Sequence, residues 1–450
     1  MGGMNVYIAR AGAALLWVSC GLTSFSVTAS EGLLDILSLA KDADPTFRGA
    51  SFERAAEQEA VKQARARLLP TIAFNVERTD NSDEIVESEN QVADASSADY
   101  ETSTYALTLN QSIYNHEYWV RYSQSKVVRD RADVEFDKAR QNLLIKVAER
   151  YFTILKTEEQ LRSISAEKEA LRRHVEYASK SRSAGLGRRA EVVDAEARYY
   201  TALAEEAQFA KSLDDARYSL MELTGALHEE LRPIQEALPL DLPEPAMPQP
   251  WIDRGLTGSP DVLSQQFTVE EARMEIKAQT SGHYPTLNLV YRNSDEDQGG
   301  SLFGGTSRVE GEEIALQLDV PIYQGGAVSS RRREAIERMY KSQEDLTRIQ
   351  REVRTDVNSA FQGVMANIAQ VKALQKTVSA QTEVLRNKEK GLQAGLYSML
   401  VVLDAQRDLA DAEKNYIEAR YDYAINSLKL KRAAGVLVES DLVAINGWLR

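Results

Sequence analysis

Apolar residues in the second half of the chain fall at Leu346, Ile349, Val353, Val357, Phe361, Val364, Ile368, Val371, Leu374 and Val378. Every step is three or four. That spacing predicts a helix that buries one stripe and wets its other faces. It lies close to both the straight-helix and the coiled-coil period, so it leaves the supercoil hand open. Residues Asn115 to Ala184 contain neither glycine nor proline, and Ala327 to Ala394 contain only Gly363 and Gly391. Prolines are missing between Pro70 and Pro233 and again after Pro321. Since proline breaks helix interiors, these gaps predict two very long helices, each reaching roughly 100 Å at ~1.5 Å per residue. A single hairpin of that length has little core, so side-by-side association with further copies is expected.

Shorter segments alternate with a period of two. Ile72, Phe74 and Val76 oppose Thr71, Ala73, Asn75 and Glu77. Tyr105, Leu107, Leu109 and Ile113 oppose Ala106, Thr108, Asn110 and Ser112. Leu287, Leu289 and Tyr291 form a third series, and Ile314, Leu316, Leu318, Val320 and Ile322 a fourth. A membrane barrel and a half-buried soluble sheet both give this pattern. Four strands cannot close a barrel, and lipid does not tolerate open edges. If the strands cross a membrane, several chains must share one wall: two chains give eight strands, three give twelve. The stretches Thr79 to Thr104 and Ser294 to Glu313 are polar and acidic, and are expected to be loops. "GGSLFGG" (Gly299–Gly305) lacks the Lys-Ser/Thr of a phosphate cradle and reads as surface loop.

The chain repeats itself. Pro45 and Pro260 are 215 residues apart, as are Pro70 and Pro285. "LTLNQSIYNHEYW" (Leu107–Trp119) matches "LQLDVPIYQGGAV" (Leu316–Val328). "GLGRRAEVVDAE" (Gly185–Glu196) matches "GLYSMLVVLDAQ" (Gly395–Gln406), 210 residues on. "LTGALHEEL" (Leu223–Leu231) echoes "AAGVLVESDL" (Ala433–Leu442). The order helix, strand, strand, long helix, turn, returning helix holds in both halves, as in a tandem duplication. The reading is a signal peptide over 1–29, a first repeat over 30–232, a linker over 233–252 and a second repeat over 253–450. The linker stretch Arg232 to Pro250 carries six prolines and is expected to be extended, not helical.

The N-terminus supplies Arg10, the apolar run "AGAALLWVSCGL" and small residues Val27 and Ala29 before Ser30, which read as an export signal. The single cysteine, Cys20, lies in that run. As a lipid-attachment site it has a bulky Trp17 where leucine is usual. A mature chain without cysteine suits export with no disulfide framework. No later run of 18 apolar residues exists, so no transmembrane helix is expected. The formal net charge of −14 argues against a nucleic-acid partner. His116, His174, His228 and His283 have no metal-ligand spacing, and no HExxH, GxSxG or P-loop pattern appears. No enzyme, cofactor or metal is expected. A periplasmic coiled-coil adaptor is the remaining alternative; it would carry one helical hairpin between compact β domains, where this chain has two hairpins in tandem.

Taken together, "LLDILSLAKDADPTFRGA" (Leu33–Ala50), "LLPTIAF", "YPTLNL", "VPIYQGGAVSSRRREA" (Val320–Ala335), both turn phrases and "NYIEARYDYAINSLKLKRAAGVL" (Asn415–Leu437) resemble the TolC family of outer-membrane export channels. The resemblance spans about residues 31 to 445. It implies a mainly α fold with a membrane β-barrel: a homotrimer whose twelve-stranded barrel continues into a twelve-helix α-barrel through the periplasm. It implies a girdle around the tunnel built from the linker and the C-terminal segment. It also implies partners, a periplasmic adaptor (membrane fusion) protein and an inner-membrane ABC or other efflux transporter. The linker "LPEPAMPQPWIDRGL" and the weak lipid signal favour type I protein secretion over multidrug efflux. The resemblance gives the turn phrases two jobs. Gly185, Leu186, Gly395 and Leu396 match the exposed knobs that meet the adaptor; an ordinary turn with a buried leucine is the other reading. Asp404 matches one of two gate acids, the other being Val401 here, and three copies would form a carboxylate ring at the pore. The family's tip lock uses an arginine where this chain has Tyr397, and an aspartate where it has Glu191. Arg188 and Arg189 lie nearby, so a swapped charge pair from Arg189 to an acid of the next copy is the expectation.

Overall fold

The computed structural model describes residues 30–87, 97–235, 238–302 and 305–450. The export signal and Cys20 lie outside the described residues. The first half holds α1 (Leu33–Ala43), α2 (Pro45–Ala66), β1 (Thr71–Glu84), β2 (Ser97–Tyr114), α3 (His116–Ser183) and α4 (Arg189–Thr224). The second holds α5 (Pro248–Gly258), α6 (Pro260–Thr280), β3 (Thr286–Gln298), β4 (Ser307–Asp319), α7 (Ala327–Gln393), α8 (Met399–Ala433) and α9 (Glu439–Asn446).

The long helices are uninterrupted: α3 has 68 residues and α7 has 67. Each packs along its upper length on a shorter helix of its own repeat, α2 or α6, and along its lower length on its returning partner, α4 or α8. The duplication reaches the backbone angles. Gly185 and Gly395 have φ of +77° and +74°, and Gly225 and Gly435 have +75° and +70°. Glycine enters this left-handed region without the Cβ clash that other residues meet.

The four strands form one antiparallel meander in the order β1-β2-β3-β4. Register brings the apolar series together: Phe74 faces Leu107, Leu109 faces Tyr291, and Leu289 faces Leu316. The resulting face is bare. Ile72 is 68 % exposed, Ile314 71 % and Leu316 66 %. β1 and β4 each pair on one side only. Among the described residues no helix is long and apolar enough to cross a membrane.

Four expectations need correction. The strands run far into the acidic stretches expected to be loops: Thr79 to Glu84 pairs with Ser97 to Thr102, and Ser294 to Gln298 pairs with Ser307 to Gly311. A hairpin in water needs no apolar alternation to keep its backbone ladder. At the helix end, Pro321 lacks a ladder donor and β4 stops at Asp319, which leaves Val320 and Ile322 outside it. A bulge between Ser112 and Tyr114 sets Tyr114, not Ile113, opposite Leu287. The proline-rich stretch, finally, is helical from Pro248, because proline fits the first turn of a helix, where no donor is needed.

Two apolar clusters lie midway down the columns. One cluster joins Leu33, Ile36 and Leu37 of α1 to Tyr151 and Phe152 of α3, Leu220 of α4, Tyr421 and Leu428 of α8 and Leu442 of α9. A second joins Trp251 and Ile252 of α5 to Val357, Phe361 and Val364 of α7. The linker is strapped on by side chains that satisfy its carbonyls. Tyr423 donates to Pro239 O at 3.0 Å, Arg420 to Gln235 O at 2.7 Å and Trp251 to Pro245 O at 2.9 Å. Tyr151 likewise donates to Arg232 O at 2.9 Å. Extended chain has no internal ladder, so such donors hold it in place. The second repeat closes with α9, where the first has extended chain at the matching "HEEL" residues.

Candidate functional site

The two turn phrases cap the two hairpins in the same way. Leu186 N–H donates to Ser181 O at 2.9 Å and Gly185 N–H to Arg182 O at 3.0 Å. Leu396 N–H donates to Gly391 O at 2.8 Å and Gly395 N–H to Leu392 O at 3.0 Å. This is a Schellman-type end, which satisfies the last carbonyls of each long helix. It throws the leucine outward: Leu186 is 88 % and Leu396 77 % exposed. Within one chain neither leucine is buried, and each hairpin ends in an apolar knob.

Beyond the knob the two turns differ. Tyr397 lies flat against α7, where a Cβ on Gly391 would come within 2.3 Å of its ring. Gly391 therefore makes room for the tyrosine. In the first turn Glu191 accepts from Arg188 N–H at 3.3 Å and caps α4. Arg188 and Arg189 are exposed and have no carboxylate partner among the described residues. Within one chain the structure does not bring Arg189 to an acid.

Asp404 is engaged. Arg198 of α4 reaches it at 2.7 Å and also donates to Leu403 O at 3.1 Å. One guanidinium thus ties the first hairpin to the second. Below this clip, Met399 and Leu403 of α8 sit buried among Leu171, Ala178, Val192 and Ala195 of the first hairpin. Sequence reasoning missed Arg198. Its signal was available: it lies three residues after Ala195 and four before Ala202, both buried, and a charge on a packed stripe needs a partner.

Further from the turns, polar contacts line the seam between α3 and α8. Ser163 donates to Glu413 at 2.9 Å, Gln160 to Glu418 at 3.0 Å, and Arg420 pairs with Glu159 at 3.2 Å. Between these contacts and the Arg198 clip is a cavity of about 80 Å³, lined by Glu167, Glu205, Phe209, Asp411 and Lys414. Burial pushes the Glu167 carboxyl up to about 7, and Glu205, Asp411 and Glu413 add to the rise while Arg198 opposes it. His174, also on α3, is held below its ordinary value by burial and by Arg173, against Glu389. Of the other histidines, His228 bonds Thr224 at 2.8 Å and His116 bonds Ser281 at 2.8 Å, while His283 is exposed.

Two coiled hairpins from tandem repeats, with strands at one end and bare leucine turns at the other, set the architecture. The family description "Outer membrane efflux protein" matches residues 36–226 and 251–436 and skips the linker. The chain belongs to this family. It is an outer-membrane protein of the TolC-like efflux and secretion channels. It is similar to the outer membrane protein TolC of Vibrio cholerae, 29 % identical over 97 % of this chain and 98 % of that one. It is similar to the alkaline protease secretion protein AprF of Pseudomonas aeruginosa, 29 % identical over 91 % of this chain and 86 % of that one. Among solved structures, the CmeC outer membrane channel of Campylobacter jejuni superposes with a TM-score of 0.78 at 14 % identity, over 99 % of this chain and 97 % of that one. That likeness bears on the fold alone.

Proposed function

We propose that three copies of this chain assemble into one outer-membrane channel-tunnel. Each copy gives its four strands to a closed barrel and its helical columns to a tube crossing the periplasm. The observation that carries this reading is the sheet. β1 and β4 leave open edges beside a bare apolar face, and lipid tolerates neither edges nor unpaired backbone. Joining β1 of one copy to β4 of the next removes every edge. In such an assembly the leucine knobs at Leu186 and Leu396 are the surface on which a periplasmic adaptor docks, with an inner-membrane transporter behind it. The cargo class favoured is protein, exported by type I secretion. The relatives named for protease secretion align over nearly the whole chain, which supports that choice over drug efflux.

Three copies of Asp404 form the carboxylate ring of the gate in this reading. Asp404→Asn should lower the cation selectivity of single channels in planar bilayers by severalfold at low salt, where surface charge is least screened. The wild-type protein should run as a detergent-stable trimer from outer-membrane fractions. Recovery as a soluble monomer, or no conductance in lipid, overturns the assembly; unchanged selectivity removes the ring. A deletion strain that keeps its secreted proteins but becomes drug-sensitive would transfer the channel to efflux.

A further inference from the structure

At three of the four junctions between strand and helix, the chain carries cations that find no carboxylate. Arg65 and Arg67 close α2 just before β1; Lys277 lies in the last turn of α6, ahead of β3. Arg331, Arg332 and Arg333 fall in the first turns of α7, directly after β4. All six are exposed, and none forms a salt bridge among the described residues. Most acids of this zone are already engaged. Glu117 and Glu275 hold Arg121, Glu271 holds Arg131, and Glu334 holds Arg338. Asp319, at the end of β4, and Glu337, on α7, stand apart from these pairs among the described residues.

Beside the cations stand bare apolar groups. Tyr323 is 86 % and Ile322 94 % exposed, and Leu69, Trp119 and Tyr284 are exposed too. They lie just beyond the last rungs of the sheet. The opposite ends of the strands carry the reverse sign, with Asp80, Asp83, Glu84, Glu296, Asp297 and Glu310. The sheet is thus polarised along its length, basic where the helices begin and acidic at the hairpin loops.

We propose that the helix end of the barrel is a collar that binds anionic phospholipid headgroups of the periplasmic leaflet. The inference rests on the barrel reading above. Arginine forks match phosphate oxygens, and aromatic rings sit at the boundary between acyl chains and headgroups. Arg331 to Arg333 lie one turn into α7, within reach of headgroups at the strand ends. Three consecutive helical positions spread over about 200°, so no single neighbouring helix covers them all. The partner is a lipid rather than a protein because the cations and the bare apolar groups lie together at the strand ends, directly beyond the exposed apolar residues of the sheet.

The test uses trimers in mixed vesicles of phosphatidylcholine with phosphatidylglycerol, followed by native mass spectrometry of the retained lipids. Wild type should retain phosphatidylglycerol over phosphatidylcholine by tenfold or more, with a preference that falls as salt rises; one well-placed arginine accounts for about fivefold. The triple variant R331Q/R332Q/R333Q should lose most of that enrichment while its trimer and its conductance in pure phosphatidylcholine persist. R65Q/R67Q should lose a smaller share. Equal retention of both lipids by wild type, or full enrichment in the triple variant, overturns the collar. A chain that forms no trimer and enters no vesicle overturns the barrel reading and the collar with it.

Discussion

In the proposed trimeric channel, Arg198→Ala is expected to raise the open frequency far above wild type, with larger and noisier single-channel currents. The clip joins the two hairpins of one chain through an ion pair and a bond to a backbone carbonyl. Asp404 is partly exposed, so its Coulomb share is screened, and the whole clip is worth about 1–2 kcal/mol per copy. Three copies that part together bring about 3–6 kcal/mol, a shift of roughly a hundredfold to ten-thousandfold in the open-to-closed ratio. Arg198→Lys keeps the charge but not the planar fork, and should fall between. Selectivity separates this role from a general loss of stability. Removing Arg198 uncovers a carboxylate, so the open channel should favour cations more strongly, whereas Asp404→Asn should favour them less. An Arg198→Ala channel with wild-type currents, or one whose selectivity moves in the same direction as Asp404→Asn, would rule out the clip.

The architecture was legible because it rests on local rules. Seventy residues without glycine or proline can only be read one way, and α3 fills them almost to the residue. The alternation of Ile72, Phe74 and Val76 announced a two-faced strand, and register put those residues on one bare face. What stayed hidden depended on partners. The strand ends from Thr79 to Glu84 have the composition of a loop; their pairing with Ser97 to Thr102 holds them in the sheet. The helix at Pro248 was masked by the same prolines that begin it. At the site, the glycine and leucine of each turn were readable from the repeat. The engagement of Asp404 was not, since Arg198 lies 206 residues away in sequence and meets it only when the hairpins pack.

Glu167 makes the same seam responsive to pH, and raising the pH from about 5 to about 8 is expected to loosen it. In the packed seam this carboxyl faces Glu205 and Arg198 from α4, and Asp411, Glu413 and Lys414 from α8. Burial and the three acids lift it to about 7, from an ordinary value of 4.5 once the hairpins separate. Below the ordinary value both arrangements hold the proton, and the group favours neither. Between 4.5 and 7 the packed form keeps its proton while the separated form has lost it, so each rise in pH favours separation. Above 7 the full cost is present: about 3 kcal/mol per copy in a dry site and about 1–2 after solvent screening. His174 acts in the opposite sense. Its lowered value means the packed form prefers the neutral ring, so acid below the ordinary value of 6.5 works against packing. Between 4.5 and 6.5 the two groups therefore pull in opposite directions, and from 6.5 to 7 the Glu167 loss acts alone. Glu167→Gln removes the alkaline limb and leaves the acidic one; His174→Gln does the reverse. Hydrogen exchange of α3 and α8 between about pH 5 and 8, corrected for intrinsic rates, reads both limbs. If Glu167→Gln leaves the alkaline loss of protection unchanged, the proton that holds this seam together resides elsewhere.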